Sequence, residues 1–291
     1  MSSSRGTQRQ NLHARLRLLS DDSWLQLLVA SLDPPTATAM SLPGFPESSI
    51  QIQFTGSDNA QTLQEAFAFY ALAKRRAAAL DRPLGSDSRL LDFGVGWGRL
   101  LRIFLRDIAT DNLFGCDIDP NVIDLCRQLG VPGNLDRIYA GGKLPYPDAF
   151  FDIMVSYSVF THLPEPVHRH WLEELARVAR PGCVFVLTLE PRSFIDLVAG
   201  LGGHSSMETS WHAQLAKYAE LCPALYSAFD KGQIAYIPTG GGGDYRDTSV
   251  YGDAVVPLAY IKSEWSRYFE VCDYIDNDTN YCQAVLIVRR R

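Results

Sequence analysis

Residues Leu90–Leu101 read LLDFGVGWGRLL. An apolar run carries an acid, Asp92; glycines follow at 94, 96 and 98; a helix-like apolar pattern resumes at once. This is the pattern of a strand, a tight turn and a helix. Glycines let the backbone of such a turn approach a ligand closely, because no side chain fills the space. In an open parallel sheet, ligands sit beyond the carboxyl ends of the strands, and the first strand–turn–helix is the usual place. A dinucleotide turn needs its third glycine one residue later than Gly98, and a phosphate loop needs Gly-Lys-Ser/Thr where this chain has Gly98-Arg99. Asp92 also places negative charge beside the turn, which disfavours a pyrophosphate and suits a cationic ligand.

Outward from this turn the chain alternates. After RLLDF and a helix-like 97–109 come strand-like NLFGCDI and a helix-like 120–129, with Pro120 at a first helical position and Asp119 as its cap. LDRIYA predicts a third strand and FFDIMVSY a fourth. A helix over about 165–180 follows, with Val167, Trp171, Leu172, Leu175 and Val178 on one stripe. Pro181-Gly182 is read as its stop, and CVFVLTLE as a fifth strand. Strands alternating with helices imply a mostly parallel sheet covered on both faces. EVCDYI and YCQAVLIVRR, separated only by DNDTN, predict a closing antiparallel hairpin. The expected fold is therefore α/β: a Rossmann-like, mostly parallel seven-stranded sheet with an antiparallel C-terminal hairpin.

Asp117 ends the second strand nineteen residues after Gly98. An acid at about this distance accepts hydrogen bonds from ribose hydroxyls. The expected ligand thus has a ribose, is cationic and lacks a diphosphate, a description that S-adenosylmethionine meets with its adenosine, sulfonium and amino-acid tail.

With LFGCDIDPNVI, LPYPDAFFDIMVSYSVFTHL and LARVARPGCVFVLTLE, the glycine turn resembles the successive motifs of class I S-adenosylmethionine-dependent methyltransferases over residues 88–190. FTGS (54–57) and EWSRYFEVCDYI resemble a bacterial subset linked to glycan or natural-product biosynthesis. The resemblance implies that Gly94, Gly96 and Gly98 line the methionine part of the cofactor with Asp92 nearby. It implies that Asp117 holds the ribose, Ile118 packs on the adenine, and Leu144 lies in the segment passing it. Ser156 and Tyr157 are expected to face cofactor or substrate. Many relatives carry an acid just before the LP of this segment; the stretch YAGGKLP has none, which leaves adenine recognition to backbone groups.

Methyl transfer to a hydroxyl is helped by a general base. His162, after the fourth strand, and Glu190, ending the fifth, are the expected catalytic residues; a backbone-bonded structural histidine and a helix-capping glutamate are the competing readings. His204 and His212 are weaker candidates. Residues 1–61 are expected to be a helical and linker extension: 12–32 carry leucines at near-helical spacing, and 33–49 is read as a linker rich in proline and small polar residues. Residues 62–291 would form the methyltransferase domain, with a helix over 62–80 opened by a Thr62/Glu65 capping box. An insertion at about 191–256, helical over 211–222, would cover the substrate. Its glycine run 239–245, flanked by Tyr236, Tyr245 and Tyr251, suits a lid or a surface loop equally.

The chain of 291 residues is 46% hydrophobic with a net charge of −6, which argues against a nucleic-acid surface; Arg289–Arg291 is read as a solvated tail. Six cysteines lack CxxC spacing, so neither a disulfide framework nor a structural metal is expected. No run of about 18 apolar residues is present, and the N-terminus lacks a secretion signal, so the expected location is cytoplasmic, away from membranes. The expected activity is transfer of a methyl group to oxygen of a small-molecule, glycan or natural-product acceptor, with a homo-oligomer left open. The alternatives are an N-methyltransferase, a non-catalytic cofactor-binding regulatory subunit, a nicotinamide oxidoreductase and a nucleic-acid methyltransferase.

Overall fold

The computed structural model describes residues 12–202, 210–241, 245–276 and 283–291. Its strands in chain order are β1 (Leu90–Phe93), β2 (Leu113–Asp117), β3 (Asn134–Arg137), β4 (Phe151–Ser156), β5 (Ala179–Leu189), β6 (Ala235–Ile237), β7 (Asp253–Val255), β8 (Phe269–Ile275) and β9 (Ala284–Arg290). Seven form one sheet in the order β3-β2-β1-β4-β5-β9-β8, and β6 and β7 form a separate pair. β1 pairs in parallel with β2 and β4, and β2 with β3, while β8 and β9 are antiparallel with a bulge between Val271 and Asp273. This is the Rossmann-like sheet with the reversed hairpin that the alternation predicts.

The contacts divide the described chain into two compact units. The first runs to Tyr139 and adds Leu144–Val155 and Val178–Val184; the second holds Ala140–Lys143, Ser156–Arg177 and everything from Phe185 onward.

In the first unit, β1 is buried along its length, as both-faced packing requires of a central strand. Helix Pro120–Gln128 begins where the sequence predicts: Pro120 opens it and the Asp119 carboxylate accepts the Asn121 N–H. Trp24, from helix Asp21–Ala30, is fully buried and donates its indole N–H to the Ile103 carbonyl, tying the N-terminal segment to helix Arg99–Phe104.

Two expectations in this unit are corrected. Residues 33–49 are not a plain linker, because Pro34–Met40 is a helix with Asp33 as its cap and proline at its first position, where a missing N–H costs nothing. The Thr62/Glu65 capping box is absent too: the helix is Asn59–Ala79, so Thr62 lies inside it, buried, and its hydroxyl accepts from Arg99.

In the second unit, helix Glu165–Val178 is as predicted. The fifth strand, whose first residues belong to the first unit, starts earlier than expected, at Ala179, so it runs through Pro181-Gly182 rather than after it. Arg289 and Arg290 are not a loose tail: both lie in β9, where Arg289 pairs with Glu270 and Arg290 donates to the carbonyls of Ala176 and Tyr268. The segment 191–256 carries its own small core. Phe194, Ile195, Val198, Leu215, Leu225 and Ile237 pack together between helices Ser193–Leu201, Ser210–Ala216 and Cys222–Asp230 and the β6–β7 pair. The single helix expected over 211–222 is instead broken at 217–221, since Pro223 suits the opening of a new helix. His204 and residues 242–244 of the glycine run lie outside the described residues.

Candidate functional site

The glycine turn is stitched to β2: the N–H groups of Gly94 and Val95 both donate to the Cys116 carbonyl, at 2.9 and 3.0 Å. Gly94, Gly96 and Gly98 all have positive φ (81°, 51° and 78°), which other residues adopt at a cost. At Gly98 a second constraint operates, because a Cβ there would lie 2.5 Å from the Val131 side chain. At Gly96 the nearest atom is the Phe54 ring, 3.7 Å away, so the space over this residue is nearly open.

Asp117 reaches back to the turn. Its Oδ2 accepts the Gly96 N–H at 3.1 Å, and its Oδ1 accepts the Asp119 N–H at 3.1 Å. Ile118 follows, partly exposed, and Leu144 is buried. Asp92 is 1% exposed, and neither of its oxygens has a partner among the described residues. Burial pushes its carboxyl well above the ordinary carboxylate range; Arg99 opposes this and Asp117 adds to it. Arg99 is itself held by the Thr62 hydroxyl at 3.0 Å, with Glu65 3.8 Å away. A buried, unpartnered carboxyl next to a side-chain-free turn fits the cationic tail of a donor such as S-adenosylmethionine, and the Asp117 carboxylate fits its ribose.

Arg102 braces the turn from behind. It is fully buried between Phe45 and Trp97, 4.3 and 4.8 Å from the ring centroids, and donates to the carbonyls of Gly98 and Gly44. Burial lowers its pKa to about 9, which still leaves it cationic at neutral pH. The PGFP stretch, 43–46, is thereby fastened to the turn, an arrangement with no signal in the sequence beyond its prolines.

The second unit holds the remaining expected residues. Ser156 is buried at the end of β4 and Tyr157 is half-buried beside it. His162 Nδ1 lies 2.7 Å from the Gly252 carbonyl and 3.6 Å from Asp253 Oδ1. A carbonyl can only accept, so Nδ1 carries the proton and Nε2 the lone pair. Burial lowers the His162 pKa, with Asp253 and the Gly252 bond opposing and Arg246 adding. The ring stacks on Tyr251 at 4.3 Å, and its side chain keeps 19% of its surface exposed.

Glu190, directly after β5, is bridged to Val255 and takes a hydrogen bond from Gln283 at 2.8 Å. Burial raises its pKa to about 8, against the Gln283 bond and with a further push from Asp253. Ser158 donates to Gln283, closing a chain of polar contacts. His212 is on helix Ser210–Ala216, partly exposed. Asp253, Thr239 and Gln283 were missed in the sequence. Asp253 begins the alternation DAVV, and an acid on the inward side of a short strand was the available signal. Among the described residues no group of His, Cys, Asp and Glu could hold a metal, and no helix is long and apolar enough to cross a membrane.

A family model described as a methyltransferase domain matches residues 91–187. The chain is 34% identical over 117 residues to a demethylmenaquinone methyltransferase of Deinococcus radiodurans, covering 39% of this chain and 47% of that protein. It is 34% identical over 134 residues to the 27-O-demethylrifamycin SV methyltransferase of Amycolatopsis mediterranei, covering 43% and 45%. The chain thus spans about half the length of these relatives. In fold it resembles the crystal structure of an S-adenosylmethionine-dependent methyltransferase from Clostridium acetobutylicum, with a TM-score of 0.51 at 12% identity over 83% of this chain and 96% of that one. Residues 91–187 form a methyltransferase domain of the class I S-adenosylmethionine-dependent type.

Proposed function

We propose that the chain transfers a methyl group from S-adenosylmethionine to a hydroxyl oxygen of a small-molecule, glycan or natural-product acceptor, with His162 as general base. The donor supplies a methyl already activated by a sulfonium: the carbon–sulfur bond breaks as the oxygen–carbon bond forms, and the thioether leaves. In this reading Asp92, Gly94, Gly96 and Gly98 hold the amino-acid end, Asp117 the ribose, and Ile118 and Leu144 the adenine. Ser156 and Tyr157 face the donor or the acceptor.

The observation that carries the oxygen reading is the hydrogen bond between His162 Nδ1 and the Gly252 carbonyl. It leaves Nε2 as the acceptor for the proton that a hydroxyl must lose, and the lowered pKa keeps the ring neutral and ready. Glu190, with a pKa pushed up to about 8, keeps its proton at pH 7 and donates a hydrogen bond to an acceptor oxygen. The 27-O-demethylrifamycin relative supports an oxygen acceptor by its name alone.

The test is turnover with S-adenosylmethionine on a panel of hydroxyl, amine and quinol acceptors, with S-adenosylhomocysteine and methylated product read by mass spectrometry. Methylated hydroxyl compounds, and a His162→Gln variant that keeps S-adenosylhomocysteine affinity but loses about 10²–10⁴-fold in kcat, are expected. Transfer to amines alone would refute the oxygen reading. Cofactor binding with no product from any class would point to a regulatory subunit.

A further inference from the structure

Resting on His162 as general base, we infer that Asp253, contributed by the 191–256 segment, is the positioning residue that stabilises the ring when Nε2 takes a proton from a hydroxyl acceptor. Three independent contacts bring Asp253 to this place. The Gly252 N–H donates to the His162 carbonyl at 2.9 Å while the Gly252 carbonyl accepts from the His162 ring at 2.7 Å. The Ala254 N–H donates to the Thr161 carbonyl at 2.6 Å. Asp253 lies between these two bonded residues, so its backbone has no freedom to carry the carboxylate away. Tyr251 closes the face of the ring at 4.3 Å, nearly parallel to it.

The carboxylate is itself held. Asp253 is 3% exposed, and its Oδ2 accepts the Thr239 hydroxyl at 2.5 Å, a bond that favours the charged form against the upward push of burial. Trp211 adds a second hydrogen bond. Oδ1, the other oxygen, is the one that faces His162 Nδ1 at 3.6 Å. One oxygen is thus anchored and the other faces the imidazole. Other groups act on this pair, and Tyr236 lies close enough to Asp253 to feel its charge. Arg246 disfavours the protonated ring, and burial pushes the Asp253 carboxyl up while His162 and the Thr239 and Trp211 bonds oppose it. Tyr251 stacks on the ring. Asp253 and the Gly252 bond both favour imidazolium, and of the two only Asp253 brings a charge.

When a hydroxyl gives its proton to Nε2, the ring becomes a buried cation with both nitrogens protonated. A carboxylate within 4 Å of Nδ1 offsets the cost of that charge, which no neutral carbonyl does as well. The residues that accomplish this lie 91 positions apart in the sequence, and the acid comes from the segment outside the 91–187 family match.

The test reads the ring directly and needs no acceptor. The full chain is labelled with ¹⁵N-histidine, and long-range ¹H–¹⁵N spectra are recorded from pH 5 to pH 9, with the His162 signals assigned by their loss in His162→Gln. The wild type is expected to show one neutral form, with the proton on Nδ1. Asp253→Asn is expected to lower the proton affinity of His162 by about threefold or more, while the Gly252 carbonyl keeps the neutral ring in the Nδ1–H form. An unchanged titration in a folded Asp253→Asn protein would overturn the inference. If that variant does not fold, Thr239→Val, which removes the anchor of the carboxylate, is expected to shift the titration the same way by less; no shift there overturns it equally. Failure of every hydroxyl acceptor in the turnover panel would sink the oxygen reading while leaving this titration intact, so the two failures are distinguishable.

Discussion

Asp117 and Gly96 are joined by a hydrogen bond from the glycine N–H to the carboxylate, 3.1 Å long, across 21 residues of sequence. The acid that the sequence assigns to a ribose is therefore also a brace for the turn. Asp117→Ala removes two backbone N–H partners, those of Gly96 and Asp119, each worth about 1.5–3 kcal/mol when the acceptor is charged. The variant is expected to lose both S-adenosylhomocysteine affinity, by calorimetry, and thermal stability, by circular dichroism. A purely ligand-directed acid would lower the affinity and leave the melting temperature where it was.

The three glycines of the turn differ in what they tolerate. Gly98→Ala combines a left-handed backbone with a Cβ 2.5 Å from Val131, so strain of about 1–2 kcal/mol adds to overpacking of about 1–3 kcal/mol. Gly96→Ala carries the backbone strain alone, since its Cβ has room. Denaturant titration should place Gly98→Ala well below Gly96→Ala in stability. Equal losses would show that the Val131 contact relaxes freely.

Much of this was readable in the chain because the signals are local. Leu90–Phe93 and the glycines after it, Asp119 with Pro120, and the alternation of β2, β4 and their helices depend on residues within a few positions of one another. The misread elements fail for equally specific reasons. Thr62 and Glu65 have the spacing of a cap, yet Asp58 precedes a helix that has already begun, and Thr62 is recruited by Arg99. Asp33-Pro34-Pro35 looked like a linker although it carries a cap and a first-turn proline. Pro181 sits within β5, where residue type argued for a break. The link between His162 and Asp253 is invisible in principle to local pattern, because it depends on how a 66-residue segment folds back.

Arg102 separates charge from geometry as the cause of the turn's rigidity. Arg102→Lys keeps a cation but loses the planar fork that stacks between Phe45 and Trp97 while reaching the carbonyls of Gly98 and Gly44. Unsatisfied buried carbonyls cost about 1–3 kcal/mol each, so a destabilisation of about 2–4 kcal/mol is expected, with weaker cofactor binding. Wild-type stability in this variant would mean that a point charge suffices.

His168 makes the protein sensitive to acid. The ring is fully buried, its Nε2 accepts the Trp265 indole N–H at 2.9 Å, and burial, helped by Arg169, lowers its pKa to about 3. The folded state therefore binds fewer protons than the unfolded state, whose histidine titrates near 6.5. Stability from this group is complete above pH 6.5 and is lost as pH falls toward 3, by about 1.4 kcal/mol for each unit. Between pH 7 and pH 5 the wild type should lose about 2 kcal/mol more than His168→Gln in denaturant titrations. Parallel losses in the two proteins would exclude His168 as the source.

Asp92 is expected to couple cofactor binding to proton release. Burial raises its pKa well above the ordinary value, so the folded carboxyl holds a proton that the unfolded chain gives up, and its contribution to stability falls as pH rises. The α-ammonium of the ligand's amino-acid end beside it reverses the preference: the charged form gains a partner for two oxygens that have none among the described residues. Binding of S-adenosylhomocysteine should then expel a proton, with affinity weakening as pH falls, by up to about tenfold for each unit below the raised pKa. Calorimetry at one pH in buffers of different ionisation enthalpy reads the protons released. The wild type should release more than Asp92→Asn, whose amide has no proton to lose to the buffer. If the two release the same number, Asp92 keeps its proton when the ligand binds, and the cationic tail is held elsewhere.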